Sequence, residues 1–289
     1  MRLIAIALMC GAMLCFTGLD TSSKWLGPHL PTAQIVWARY VGAGLISLAL
    51  ARPWSSRAAL RSKRPGLQTV RSFLLLGSTT AVVLALRKLQ LAESATIQFL
   101  APVLVALLAG PLLGEKVGKE RLIAICIAFI GVVIATRPGT AAFQPVVFVA
   151  LAGVLCNTFY ILATRKLASF DPPQTTLLWT QLAGLVGVTP LLPWIWQWPS
   201  SPEVWLVMAG TGIFGVAGHS LLILAHKFAP APVLSPFSYT QLVWMIGSGL
   251  VVFGDWPPAA TLVGAAIVIG CGAWLALRER SDVLRANVA

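Results

Sequence analysis

The sequence predicts an all-α membrane protein, with ten transmembrane helices in two inverted five-helix repeats around a central cavity. Three observations carry this. The 289-residue chain is 57% hydrophobic and only 10% charged, with a mean hydropathy of +0.84, whereas a soluble domain carries about 25% charged residues. Its apolar stretches come close to the ~20 residues that a helix needs to cross a bilayer. Finally, residues 93–115, ESATIQFLAPVLVALLAGPLLGE, return as residues 232–255, PVLSPFSYTQLVWMIGSGLVVFGD. A segment used twice points to a chain of two similar halves.

Ten spans are expected, at about residues 3–20, 32–51, 68–86, 94–112, 120–136, 145–164, 173–193, 203–225, 233–252 and 257–277. The first has the basic start and small residues of a signal peptide. Residues 11–17 match residues 152–158, however, so the first span is expected to stay uncleaved. Pro31, Pro172, Pro202, Pro232 and Pro257 mark helix starts, where a missing N–H is harmless. Pro102 and Pro236 fall inside spans and should kink or break them. Trp194, Trp196 and Trp198 follow the seventh span as an aromatic anchor at the outer surface. Thr211-xxx-Gly215 and Ala266-xxx-Gly270 put small residues where helices pack closely.

The net charge of +12 would suit nucleic acid, but the charges sit between apolar runs. Sixteen Lys and Arg, Arg71 among them, fall on one side; four, Lys24, Arg87, Lys88 and Arg137, fall on the other. Positive charge stays inside, so both termini are expected in the cytoplasm. The basic segment 52–71 then lies against the anionic inner leaflet. Cys10, Cys15, Cys126, Cys156 and Cys271 each lie within an apolar run and read as small buried residues, not disulfide or metal ligands. The repeat extends over most of the chain: Pro31 falls on Pro172 and Lys24 on Arg165 at an offset of 141, and Ala85 on Ala225 at 140. Five spans per half is an odd number, so the halves, 1–140 and 141–289, enter from opposite faces. Such inverted repeats hold a substrate between them near mid-membrane.

Charge at the bilayer centre costs at least about 2.5–3.5 kcal/mol, so the few polar groups there are the candidate site. Arg39 lies eight residues past Pro31, roughly 12 Å deep. It reads either as a structural partner of Asp20 or as a gating or carboxylate-binding group. His219 in the eighth span aligns with Thr79 in the third, beside Ser78. It is either a packing residue or a substrate or proton ligand. The fourth and ninth spans add Gln98, Phe99, Tyr239 and Gln241; the first and sixth add Thr17, Asn157 and Tyr160. Such amides and hydroxyls need polar partners in a dry environment, and a wet cavity supplies them. Phe99, Tyr160, Trp179 and Tyr239 are its expected aromatic walls. Glu115 and Asp255 end equivalent spans and hold the following helix or gate it. Glu93 reads as a surface partner of Arg87 and Lys88.

The layout resembles the drug/metabolite transporter superfamily, and within it the ten-helix EamA-type exporters. The resemblance rests on the two five-helix halves and WARY at residues 37–40. It also rests on the A-P-V-L-x-A-L-L-A…L-L-G-E ending of the fourth span, residues 101–115, and on Gly131 in the fifth. The second half departs from the pattern, with Thr240-Gln241-Leu242 opposite Leu100-Ala101-Pro102. The resemblance implies an exporter of small metabolites working by alternating access, monomeric, in the lipid bilayer of a bacterial cytoplasmic (inner) membrane. It implies a small-molecule substrate, no cofactor and no nucleic acid. The Trp content and the polar, uncharged middle are most similar to the YddG branch, which implies amino acids, aromatic ones included. Export of amphiphilic or quaternary-ammonium drugs is the alternative. An intramembrane enzyme would need a motif such as His-Glu-x-x-His, which the sequence lacks. A non-transporting receptor is the third reading.

Overall fold

The computed structural model describes residues 2–51, 61–113, 119–229 and 231–286. Among them there are helices and no strands. In chain order these are α1 (Arg2–Leu26), α2 (Thr32–Ala51), α3 (Pro65–Leu86), α4 (Leu91–Gln98), α5 (Leu100–Leu113), α6 (Lys119–Thr136) and α7 (Val147–Leu167). Then come α8 (Pro173–Val188), a 3-10 turn (Thr189–Leu191), α9 (Leu192–Ile195), α10 (Pro202–Phe228), α11 (Ala231–Ser238), α12 (Thr240–Phe253) and α13 (Ala259–Ala286). Among the described residues, seven spans are long and apolar enough to cross a membrane, and two shorter apolar helices lie in α6 and α13. Large side chains such as Leu206, Ile213, Val243 and Val251 face outward. Water would penalise such a surface, while hydrocarbon matches it.

Helix starts follow the expected chemistry. Pro65, Pro173 and Pro202 occupy first-turn positions, and the Ser201 hydroxyl accepts from the Val204 N–H. The fourth and ninth spans are each broken in two, at Phe99 and Tyr239, into pieces of eight and fourteen residues. The expected breakers each lie within one turn of a break, and Pro102 can neither bond to nor clear the carbonyl of Gln98, the residue on which α4 ends. Pro102 lies three residues after the first break, and Pro236 three residues before the second. The two breaks coincide at an offset of 140, so the repeat carries the interruption in both halves. There the Phe99 and Tyr239 rings meet edge to face at 5.1 Å.

Neighbouring helices respect the same exchange of halves. α1 packs on α10 as α7 packs on α3; α2 on α10 as α8 on α3; α1 on α12 as α7 on α5. The self-paired contacts are α2 with α8 and α6 with α13. The halves run oppositely. The end of α1 meets the segment after α12 through Lys24 Nζ and Asp255 Oδ2 at 2.7 Å, and meets the end of α3 through the Leu89 carbonyl at 3.0 Å. The end of α7 instead meets the start of α3, where Arg71 Nε donates to Thr164 Oγ1 at 2.7 Å. α1 and its counterpart α7 therefore end at opposite faces.

Glycines set the closest crossing. A Cβ on Gly42 in α2 would collide with the backbone of Gly212 in α10. The same holds for Gly131 and Gly264 where α6 crosses α13, whereas Ala266 and Gly270, expected at a contact, face outward. Three charges also depart from expectation. Arg71 lies in α3 and is 2% exposed, not in a loop. Glu93 is buried in α4, not at the surface. Asp255 is an ion-pair partner of Lys24, after a left-handed Gly254 (φ +68°) that ends α12. Glu115 and Arg52 lie outside the described residues.

Candidate transport site

A central cavity of about 320 Å³ opens between the halves, near the lower end of the ~300–1,000 Å³ typical of small-molecule sites. From the first half, α2 contributes Arg39 and Tyr40, α3 contributes Ser78 and Thr79, and α4 ends on Gln98. From the second half, α7 contributes Asn157 and Tyr160, α8 Thr180 and Gln181, α10 Thr211 and His219, and α12 begins beside Gln241. α1 adds Phe16 and Asp20. The breaks matter here. They leave the C-terminus of α4 and the N-terminus of α12 inside the bundle, where the side chains of Gln98 and Gln241 reach the same space. A second cleft, of about 470 Å³, lies at the rim beside Lys63, Arg64 and Lys166 and takes nothing from the bundle interior.

Of the residues expected at the site, Ser78, Thr79, Gln98, Asn157, Tyr160, His219, Gln241 and Arg39 line this one cavity. Thr17, Phe99 and Tyr239 do not. Thr17 is fully buried in α1. Phe99 belongs to the apolar core, and Tyr239 packs against it. Trp179, expected as a wall, is likewise absent from the lining. Lining residues that escaped the sequence reading include Phe16, Tyr40, Thr180, Gln181 and Thr211. The repeat held the signal for one of them, because the offset of 141 carries the candidate Arg39 onto Thr180.

Electrostatically the cavity is uneven. Arg39 Nη1 lies 3.3 Å from Asp20 Oδ1 and 3.1 Å from Ser23 Oγ, so its charge is matched. Asp20 is buried by this pairing. His219 is exposed to the cavity, with its ring 5.0 Å from that of Phe16. The Tyr40 hydroxyl lies beside Thr79 without a well-formed hydrogen bond, and Gln181 Oε1 is buried with no partner. Buried polar atoms of this kind carry a desolvation cost until something bonds to them. At one end, Arg71 donates to Thr164 Oγ1, Thr180 Oγ1, the Thr176 carbonyl and Tyr160 Oη, at 2.7, 2.7, 3.2 and 3.0 Å. Its guanidinium lies 4.6 Å from the Tyr160 ring centre. Beyond it, at the membrane surface, Asp171 accepts from Ser62 Oγ, from the Lys63 N–H at 2.8 Å and from Gln68 Nε2 at 3.0 Å. Burial alone would raise the Asp171 pKa, but these hydrogen bonds outweigh it and hold the carboxyl below its ordinary value. Among the described residues, no group of three His, Cys, Asp or Glu is placed to hold a metal.

An inverted pair of helical bundles with broken spans around a polar chamber is the architecture of a membrane carrier. The chain belongs to the EamA-like transporter family, whose pattern matches residues 3–137 and again 144–278. It is a multi-pass membrane transporter of small metabolites. It is 27% identical to a riboflavin transporter of Vibrio cholerae, over 83% of this chain and 81% of that one. It is 22% identical to an S-adenosylmethionine uptake transporter of Rickettsia prowazekii, over 91% and 89%. A riboflavin transporter of Brucella anthropi is 25% identical over 96% and 99%. A crystal structure shares the fold, with a TM-score of 0.65 and 22% identity, over 96% of this chain and 98% of that one. These names do not support an amino-acid specificity, and the YddG branch rests on resemblance alone.

Proposed function

We propose that this transporter carries a small, ring-bearing polar metabolite by alternating access, the halves 1–140 and 141–289 rocking about the central chamber. The observation that carries this reading is the convergence of amides, hydroxyls and His219 from both halves on one cavity. A binding group shared by two moving bodies is what alternating access requires. Phe16, Tyr40, Tyr160 and His219 offer ring faces and edges to a planar solute. That suits the flavin and adenine rings of the relatives' substrates, and it suits the aromatic amino acids inferred from the sequence. Both termini lie in the cytoplasm on this reading, and export is the direction whenever the solute accumulates inside. An amphiphilic cation is the poorer fit, since it calls for a free carboxylate and Asp20 is already engaged by Arg39.

The test is counterflow in proteoliposomes with labelled L-tryptophan, riboflavin and S-adenosylmethionine. At least one should give saturable flux with the solute unchanged. His219→Ala and Gln241→Ala should each reduce that flux severalfold while inserting normally. Flux that is absent for all three probes, or unaltered in both variants, rejects this reading.

A further inference from the structure

The half-buried Arg39 and the buried Arg71 occupy corresponding corners of the repeat. Arg39 and Thr180 are equivalent at an offset of 141, Arg71 and Thr211 at 140, and their hydroxyl partners Ser23 and Thr164 at 141. Each corner thus combines a hydroxyl from the first helix of one half with a residue from that half's second helix and one from the other half's third helix. One arginine serves each corner, from a different helix. The corners differ in one respect. Arg39 has a carboxylate, Asp20, at 3.3 Å. Tyr160 stands within one position of the equivalent place in the other half, and it brings a hydroxyl and a ring but no charge.

Arg71 is therefore a guanidinium at 2% exposure whose hydrogen-bond acceptors are all neutral. Among the described residues no carboxylate acts on it. Neutral oxygens solvate such a charge without cancelling it, and inside a bilayer an unbalanced charge is costly enough to need a reason. Two of its acceptors, Tyr160 and Thr180, are themselves cavity walls. The unmatched charge thus sits one side chain behind the chamber.

We propose that the transported solute supplies the missing counter-charge: a carboxylate or phosphate group docks at Arg71, taking the place of the Tyr160 hydroxyl. This rests on the transport reading and narrows its substrate class to solutes with an anionic group. Guanidinium suits the task, because its planar donors pair with carboxylate and phosphate oxygens two at a time. In the empty carrier the Tyr160 hydroxyl holds one donor, and the ring lies against the cation.

The experiment compares probe pairs that differ in one anionic group, measured on the purified full-length protein. L-tryptophan is set against L-tryptophanamide, and riboflavin 5′-phosphate against riboflavin. In at least one pair the anionic member should bind tenfold tighter or more, about 1.4 kcal/mol. Arg71→Gln should erase that ratio, and Arg71→Lys should keep part of it. A purely structural arginine would weaken both members alike and leave the ratio standing. Equal binding within both wild-type pairs, or a ratio that survives Arg71→Gln, overturns the proposal. Should Arg71→Gln not purify as a monodisperse protein, Tyr160→Phe decides. Freeing the guanidinium should widen the ratio, and a ratio at or below the wild-type value overturns the proposal. Flux in proteoliposomes is read separately. Flux without anion preference sinks this inference alone, while no flux of any probe sinks the transport reading.

Discussion

Arg39 and Arg71 have the same chemistry and different surroundings. The depth of Arg39 in an apolar run already marks it, and its partner Asp20 lies on the helix before. Arg71 sits near the start of its helix, where a basic residue normally reaches for water; only the packing of α7 and α8 over it reveals its burial. Asp171 is the third informative charge, because it ties the segment before α3 to the start of α8. Its pKa is depressed in the folded protein. Its contribution to stability is therefore complete above the unfolded value of about 3.9 and is lost as the pH falls through the lower folded value. In thermal unfolding, the Tm gap between wild type and Asp171→Asn should be widest above about pH 4 and should close in more acidic buffer. A gap that stays constant down to pH 2 would remove the carboxylate from the account.

At the level of elements, the broken spans and the glycine crossings do the positioning. α4–α5 and α11–α12 each stop and restart, which turns Gln98 and Gln241 toward the chamber. α2 reaches α10 only because Gly42 and Gly212 let two backbones touch, and this contact carries Arg39 and Thr211 to the same space. Gly42→Ala should therefore force the helices apart and destabilise the protein by about 1–3 kcal/mol. Gly247→Ala, with nothing within 4 Å of the added carbon, should be neutral or slightly stabilising, since alanine is the better helix former. Denaturation of the two variants in the same detergent compares them directly. Equal stability would mean that the α2–α10 contact is looser than its geometry implies.

For the whole molecule, the pseudo-two-fold exchange makes one surface of the bundle the counterpart of the other. The face holding Lys63, Arg64, Arg165 and Lys166 is the basic one, and the proposed orientation, which follows the positive-inside rule, puts it in the cytoplasm. Cysteine placed at Ala142 on a background lacking the native thiols should then react with an impermeant maleimide in intact cells, and cysteine at Ser169 only after permeabilisation. The reverse pattern would turn the whole assignment over. The all-helical membrane class, the internal repeat and the family were legible in the sequence. Length, hydropathy and spacing are local or periodic properties of the chain. Much of the chamber was legible too, because an amide such as Gln98 or a histidine such as His219 inside an apolar run already needs a polar neighbour. The remainder lay in contacts between residues distant in sequence. Whether Phe99 and Tyr239 line the chamber or seal each other, whether Thr17 turns inward, and whether Arg71 meets water or Thr180 depend on helix rotation and crossing. Those are set by packing between the two halves, so the tertiary structure alone decided which polar residues share a cavity and which buried charge donates only to neutral oxygens.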